Sequence, residues 1–264
     1  MMNLMARVLA FWLGACLGSF INVIAYRVPR EESIVFPGSR CPRCGKPIAP
    51  YDNVPVLSWL WLRGRCRGCG KGISPRYPAV EALTAVLSLA LWLRWEDQPL
   101  WALLSVLASA ALLAISLIDW DTGFIPDILS FGLIAAGILS APVNPLLAAT
   151  TWFGAVSSSL LGAAAGFVIC WLTAEAGKRI FGKEAMGMGD VILLCGIGAW
   201  TGGVGAYDSL LIGSFLGAVY GVGRVARGSL RMSDPVPFGP FLAAGAVFCF
   251  FCLLPLGFPF IPIR

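Results

Sequence analysis

The sequence contains no histidine among its 264 residues. This absence excludes Ser-His-Asp and Cys-His nucleophile systems, histidine-ligated metals and proton transfer through imidazole. Any acid–base chemistry must therefore use carboxylates, lysine, tyrosine or cysteine.

Charge is also scarce, since 12% of the residues are charged and 58% are hydrophobic. A soluble domain needs about twice that charged fraction, whereas about 20 apolar helical residues cross a bilayer. Disordered, fibrous and secreted disulfide-rich classes are excluded. The composition predicts an all-α polytopic membrane protein with about eight transmembrane helices. The predicted spans are residues 5–25, 79–95, 99–118, 124–141, 152–174, 190–206, 208–223 and 237–256.

The basic residues predict the orientation of these spans. If the first span runs from outside to inside, the cytosolic segments hold 16 of the 19 lysines and arginines. The positive-inside rule favours this topology, which puts both termini outside the cytosol and most of the polar chain inside. The net charge of +5 then reflects the basic residues of the cytosolic segments. We therefore expect contact with membrane lipid and no nucleic-acid partner.

Three parts are predicted: a first transmembrane helix (residues 1–26), a cytosolic module (27–78) and a transmembrane catalytic domain (79–264). The module is too small and too rich in Pro, Gly and Arg to fold unaided. Two CxxC pairs separated by 21 residues predict a tetrahedral zinc site with a structural role. Two disulfides or free thiols are the alternative, which a reducing cytosol disfavours. The predicted zinc ligands are Cys41, Cys44, Cys66 and Cys69.

Aspartates next to apolar spans are the candidates for catalysis, because an ionised group in hydrocarbon is costly. Asp119 lies in the sequence IDWDTGFIPD and Asp190 in GMGD, and the topology sets both at the cytosolic membrane face. Two carboxylates that share one proton can activate a water and protonate a leaving amine. Helix capping is the alternative for Asp190, and capping or solvent exposure is the expected role of Asp121 and Asp127.

With these motifs, the chain resembles the bacterial type IV prepilin peptidase family of membrane aspartic proteases. The resemblance begins with GSFINV and YRVP after residue 17. It continues through the cysteine module from Ser39 to Ala85, the two aspartate motifs and PFGPF at residues 237–241. It implies cleavage of the basic leader of prepilins or type II secretion pseudopilins at the cytosolic face of the bacterial inner membrane. Asp119 and Asp190 would be the catalytic pair, and the four cysteines the zinc tetrad.

The resemblance also implies that the new N-terminal residue is methylated with S-adenosylmethionine. No glycine-rich nucleotide motif marks a site for this cofactor, so only polar groups near the predicted membrane face can be named. They could bind the cofactor or the substrate amine, and helix capping or lipid-headgroup contacts explain them equally well. These candidates are Asn22, Arg27, Asp52, Asn53, Arg76 and Glu81.

Two other functions fit the same sequence. The first is a GxGD protease that cleaves other helical substrates, or archaeal-type preflagellins, without methyltransferase activity. The second, from another class, is a proton-coupled transporter whose membrane aspartates relay protons and whose zinc module recruits a partner. The sequence does not predict the oligomeric state or the particular pilin substrate.

Overall fold

The computed structural model describes residues 2–182, 186–229, 236–253, 256–257 and 261–262. These residues are mostly helical, as predicted. The α-helices are α1 (Met2–Arg27), α2 (Leu57–Trp61), α3 (Arg76–Arg94), α4 (Pro99–Thr122), α5 (Asp127–Ser140), α6 (Trp152–Phe181), α7 (Met188–Ala226) and α8 (Gly239–Phe251). Short 3-10 helices span Val28–Arg30, Pro50–Asp52, Ala141–Val143 and Pro145–Leu147, and the strands Leu256–Gly257 and Ile261–Pro262 pair antiparallel.

Four segments of the described chain are long and apolar enough to cross a membrane: Leu4–Arg30, Pro99–Thr122, Trp152–Ile180 and Met188–Ala226. Two shorter apolar segments, Asp127–Val143 and Gly239–Phe251, accompany them. The structure thus confirms a helical protein with membrane-length apolar helices, but it does not confirm the predicted number of eight crossings.

Helix α7 covers the two spans predicted at residues 190–206 and 208–223. A straight helix of its 39 residues would be about 58 Å long, roughly twice the thickness of the hydrocarbon core. The helix is interrupted at Gly202, whose φ of 71° and ψ of −179° are not helical. Glycine adopts this backbone conformation without a Cβ clash, so the break divides α7 into two parts.

The chain forms two compact units, Met1–Ala110 and Ala111–Arg264. In the first unit α1 packs against α3. A Cβ built at Gly14 would lie 2.4 Å from Oγ of Ser88, and one at Gly18 would lie 2.6 Å from Cα of Glu81. These two glycines, four residues apart, therefore let α3 approach the backbone of α1 closely.

In the second unit α7 packs against α5, α6 and α8. Its contact with α6 depends on facing glycines, because a Cβ built at Gly162 would lie 2.2 Å from the carbonyl oxygen of Gly198. A Cβ at Gly166 would lie 2.3 Å from the carbonyl oxygen of Leu194. This close approach fixes the first part of α7, which carries the GMGD motif, against α6.

Candidate active site

The last turns of α4 carry Asp119, which is buried with 5% of its surface exposed. Its Oδ2 accepts a hydrogen bond of 2.9 Å from the backbone N–H of Gly239, the first residue of α8. A Cβ built on Gly239 would lie 2.8 Å from that same oxygen. Glycine at this position therefore lets the start of α8 approach the carboxylate closely enough to donate to it.

The first turn of α7 carries Asp190. Its Oδ2 accepts a hydrogen bond of 3.3 Å from the N–H of Gly187, which caps the helix. This contact matches the capping role considered as the alternative. The other oxygen, Oδ1, is buried and accepts no hydrogen bond within the described chain. A buried polar atom without a partner requires an explanation, and a water or substrate group bound between the aspartates would supply one.

One side chain, Ile125, connects the surroundings of the two aspartates. A Cβ built on Gly189 would lie 3.0 Å from Cβ of Ile125, and one on Gly239 would lie 3.2 Å from its Cδ1. Gly189 precedes Asp190, and Gly239 donates to Asp119. The structure therefore brings together two aspartates that are far apart in the sequence.

Three aromatic side chains form a cluster beside Asp119. The ring of Trp120 lies 5.3 Å from that of Tyr220 and 6.5 Å from that of Phe241, measured between centroids. Arg224 donates to the hydroxyl of Tyr220 at 3.4 Å. Trp120 is exposed, so the cluster presents an apolar surface next to the candidate catalytic carboxylate.

The two aspartates expected to have other roles differ from Asp119 in their exposure. Asp121 and Asp127 are exposed. Asp127 is in the first turn of α5, where a carboxylate stabilises the helix by interacting with its dipole.

The four predicted metal ligands form one cluster in the first unit. The Sγ atoms of Cys41, Cys44, Cys66 and Cys69 all lie within 4.8 Å of one another. The sulfurs of Cys41 and Cys69 are 4.0 Å apart. A tetrahedral zinc with Zn–S bonds of about 2.3 Å separates its sulfurs by about 3.8 Å. The cluster therefore has the size and donor set that zinc requires.

The two knuckles that carry these cysteines have the same backbone geometry. Cys41 donates its N–H to the carbonyl of Lys46 at 2.9 Å, and Cys66 donates to Lys71 at the same distance. Glycine follows the second cysteine of each pair, with φ of 71° at Gly45 and 69° at Gly70. This repeated arrangement presents two thiols from each loop towards the same point.

A cavity of about 830 Å³ adjoins the cysteine cluster in the first unit. Its size is typical of small-molecule sites. Five of the six residues considered as cofactor ligands line it, and Arg76 does not. The sequence interpretation missed the aromatic residues in the wall, which no spacing pattern marks. The five lining candidates are Asn22, Arg27, Asp52, Asn53 and Glu81, and the aromatic residues are Tyr26, Tyr51, Trp59 and Tyr77.

Three of the lining candidates also hold the unit together. Asn22 donates to the carbonyls of Gly18 and Tyr77 at 3.2 Å each, which joins α1 to α3. Glu81 accepts from the N–H of Val56 at 2.7 Å. Arg27 donates to three backbone carbonyls between residues 33 and 38. Their loss would disturb the fold as well as any bound ligand.

The other two lining candidates differ in their contacts. Asp52 forms a bidentate pair with Arg67, with both N···O distances at 2.7 Å. The hydrogen bond from Arg67 lowers the pKa of Asp52 from its usual value, so this carboxylate stays ionised at neutral pH. The side chain of Asn53 makes no hydrogen bond within the described chain, so its amide is available to a ligand.

The apolar helices of membrane length define a helical membrane protein. The two neighbouring carboxylates form a candidate hydrolytic centre, and the four thiols form a candidate metal site. Two family models match the chain: the Bacterial Peptidase A24 N-terminal domain over residues 12–95 and the Type IV leader peptidase family over residues 106–222. The chain therefore belongs to the type IV leader peptidase family, which confirms the resemblance found in the sequence.

Several named relatives match most of the chain. It is 37% identical to a protein of Aeromonas salmonicida (strain A449) named prepilin leader peptidase/N-methyltransferase, over 89% of this chain and 87% of that protein. It is 38% identical to a protein of the same name in Aeromonas hydrophila, with the same coverage. It is 37% identical to the "Type 4 prepilin-like proteins leader peptide-processing enzyme" of Escherichia coli O78:H11 (strain H10407 / ETEC), over 91% of both chains. No solved structure matches the chain.

The cysteine cluster generates a direct prediction. We expect Cys41→Ser to reduce bound zinc from about one ion per chain to a small fraction of that, because a three-thiolate site with a hydroxyl binds zinc more weakly. Metal analysis of the purified protein measures this. Cys16→Ser, which removes an exposed thiol from α1, is the matched control and should leave the zinc content unchanged. Full zinc occupancy in Cys41→Ser and also in Cys66→Ser would contradict a four-cysteine site.

Proposed function

We propose that this protein is a prepilin leader peptidase and N-methyltransferase of the bacterial inner membrane. It cleaves the basic leader from type IV prepilins or type II secretion pseudopilins at the cytosolic membrane face. It then methylates the new N-terminal residue with S-adenosylmethionine. The names of its relatives and its membership of the family support both activities. The observation that carries the catalytic assignment is the neighbouring position of Asp119 and Asp190 around Ile125.

In the proposed peptidase reaction, the two aspartates hold one water between them. One carboxylate takes a proton from the water, and the water oxygen bonds to the carbonyl carbon of the scissile peptide. The other aspartate, initially protonated, shares its proton with the carbonyl oxygen. When the tetrahedral intermediate collapses, the C–N bond breaks and the leaving nitrogen takes a proton from the pair. The cycle needs no histidine and no metal with an open coordination position.

The proposed position of the site suits a substrate that crosses the membrane boundary. A prepilin keeps its charged leader in the cytosol and its apolar helix in the bilayer, so the scissile bond falls between them. Asp119 lies near the end of a membrane-length helix, and the aromatic cluster of Trp120, Tyr220 and Phe241 lies beside it. We assign this end of α4 to the cytosolic side on the distribution of lysine and arginine. The proposed total of about eight membrane crossings rests on the apolar runs of the sequence.

The proposed site of S-adenosylmethionine is the 830 Å³ cavity. When bound, this cofactor supplies a methyl group to the substrate amine. The aromatic rings of Tyr51 and Tyr77 can stack on its adenine or contact its sulfonium cation. Asp52 and Asn53 offer acceptors and donors for its polar groups. Arg76 lies outside the cavity wall and is the weakest member of the proposed set.

Zinc has a structural role in this proposal. Four thiolates fill its coordination shell, so no position remains for water or substrate. The ion would join the two knuckles, whose residues form part of the cavity wall. Because this cavity has the size of a small-molecule site, it supports a peptidase that also methylates rather than one that only cleaves.

The aspartate pair is tested by Asp119→Asn and Asp190→Asn, which remove the ionisable groups and keep the side-chain shape. We expect each to reduce leader cleavage by at least about 10²- to 10⁴-fold, the usual contribution of general acid–base catalysis. Cleavage of a purified prepilin in detergent is followed by mass spectrometry. Asp127→Asn, at an exposed aspartate nearby in the chain, is the matched control and should cleave normally.

Retained cleavage in either substituted enzyme would remove that aspartate from the catalytic pair. If the wild-type protein cleaves no prepilin but moves ions in proteoliposomes, the transporter alternative would replace the proposal.

The cofactor site is tested by Tyr51→Ala and Asn53→Ala. We expect the KM for S-adenosylmethionine in the methylation of an already cleaved pilin to rise about 10-fold or more in Tyr51→Ala, because stacking is lost. Tyr51→Phe should restore it, and the rate of leader cleavage should stay unchanged. Trp61→Ala, at an exposed aromatic residue outside the cavity wall, is the control. An unchanged KM in both cavity variants would place the cofactor elsewhere.

A further inference from the structure

Three adjacent apolar side chains are exposed in the segment that follows α1. Ile34 is 39% exposed, Val35 65% and Phe36 77%. They lie in residues 33–38, which we term the fold-back loop. Three exposed apolar residues in a row are unusual in a polar module unless another apolar surface covers them.

Arg27, the last residue of α1, fixes the path of this loop. Its Nη1 donates to the carbonyl of Ser33 at 2.8 Å, and its Nη2 donates to the carbonyls of Pro37 and Gly38 at 2.7 and 3.3 Å. The arginine is 93% buried, with 7% of its surface exposed. Both ends of the loop are therefore attached to the end of a membrane-length helix.

The loop returns along α1 towards its apolar middle. A second cavity, of about 270 Å³, is lined by Ile34, Val35 and Pro37 of the loop together with Cys16, Phe20 and Val23 of α1. Phe20 precedes Arg27 by seven residues, which corresponds to about 10 Å along a helix. Phe20 lies within the candidate membrane span Leu4–Arg30 and is itself exposed, so the exposed loop residues continue the apolar surface of a spanning helix.

Part of the loop backbone is hydrogen-bonded within the protein. Arg27 supplies donors to three of its carbonyls, and Oγ of Ser33 accepts from the N–H groups of Val35 and Phe36 at 3.3 and 3.2 Å. Non-helical backbone can lie at membrane depth only where its polar groups have such partners. These bonds reduce the number of unpaired backbone groups, which favours the polar interface of the bilayer, where headgroups and water can pair with the remaining ones.

We propose that the fold-back loop inserts into the cytosolic interface of the bilayer, where lipid acyl chains cover Ile34, Val35 and Phe36. The charge of the module fits this partner. Residues 27–78 contain ten lysines and arginines but only three acidic residues. This excess of positive charge attracts anionic headgroups. The loop would act as a second anchor for the module, beside the helices at its two ends.

The test replaces Phe36 by the photoreactive residue p-benzoylphenylalanine in the full-length protein. The protein is placed in nanodiscs of phosphatidylethanolamine and phosphatidylglycerol and irradiated, and adducts are identified by intact-protein and fragment mass spectrometry. We expect adducts with lipid acyl chains at position 36. The same substitution at Arg65, an exposed position of the second knuckle, is the control and should give at least about five-fold less acyl adduct. Unchanged zinc content and leader cleavage in both proteins show that they are folded.

Three results would overturn the proposal. Equal acyl labelling at positions 36 and 65 would mean that the loop has no preferred contact with the bilayer. Absence of lipid adducts at position 36 would mean that the loop faces water. Crosslinked dimers in place of lipid adducts would mean that a second copy of the chain covers the loop. Each result concerns the loop alone and leaves the peptidase assignment unaffected.

Discussion

The arrangement of the candidate active site depends on one hydrogen bond, from the backbone N–H of Gly239 to Oδ2 of Asp119. Burying a carboxylate in an apolar helix bundle costs free energy unless polar groups donate hydrogen bonds to it. The start of α8 supplies such a group, and it can do so because residue 239 has no Cβ. The bond therefore connects the end of α4 with the beginning of α8, and Ile125 connects both with the GMGD turn of α7.

The rest of the second unit holds that turn in place. Helices α6 and α7 approach each other through Gly162, Gly166 and Gly198, so their backbones touch where larger residues would separate them. Close packing of this kind restricts how far a helix can shift. Within the first unit, polar contacts restrict the movement of α3. Asn22 and Glu81 join α3 to its neighbours in that unit, and two equivalent knuckles bring the four thiols together.

Much of this could be predicted from the sequence because the signals are local. Apolar runs predict helices, and the spacing of Cys41, Cys44, Cys66 and Cys69 predicts a cluster. An ionised carboxylate in an apolar run is energetically unfavourable, and this indicates a function for Asp119. The number of crossings does not follow from these signals. The predicted boundary between the spans 190–206 and 208–223 lies close to the break at Gly202, but the structure has one helix, α7, across both spans.

Other features depend on contacts between distant residues. In the sequence, Gly239 stands out only as part of PFGPF, and nothing in that motif indicates that its N–H donates to an aspartate 120 residues away. The six cofactor candidates share only their expected depth near the membrane face. Depth cannot separate Arg27, which holds a loop, from Asn53, whose amide is available, since their hydrogen-bond partners are set by the folded structure.

The most direct measurement of the central claim is the rate of prepilin leader cleavage by Gly239→Ala. The added methyl group would lie 2.8 Å from Oδ2 of Asp119, so we expect a large loss of cleavage while zinc content and methylation of an already cleaved pilin remain normal. Gly132→Ala, where the added Cβ meets open space, controls for the loss of a helical glycine. Cleavage by Gly239→Ala at the wild-type rate would contradict the account, because the carboxylate would not need the contact on which we base its position.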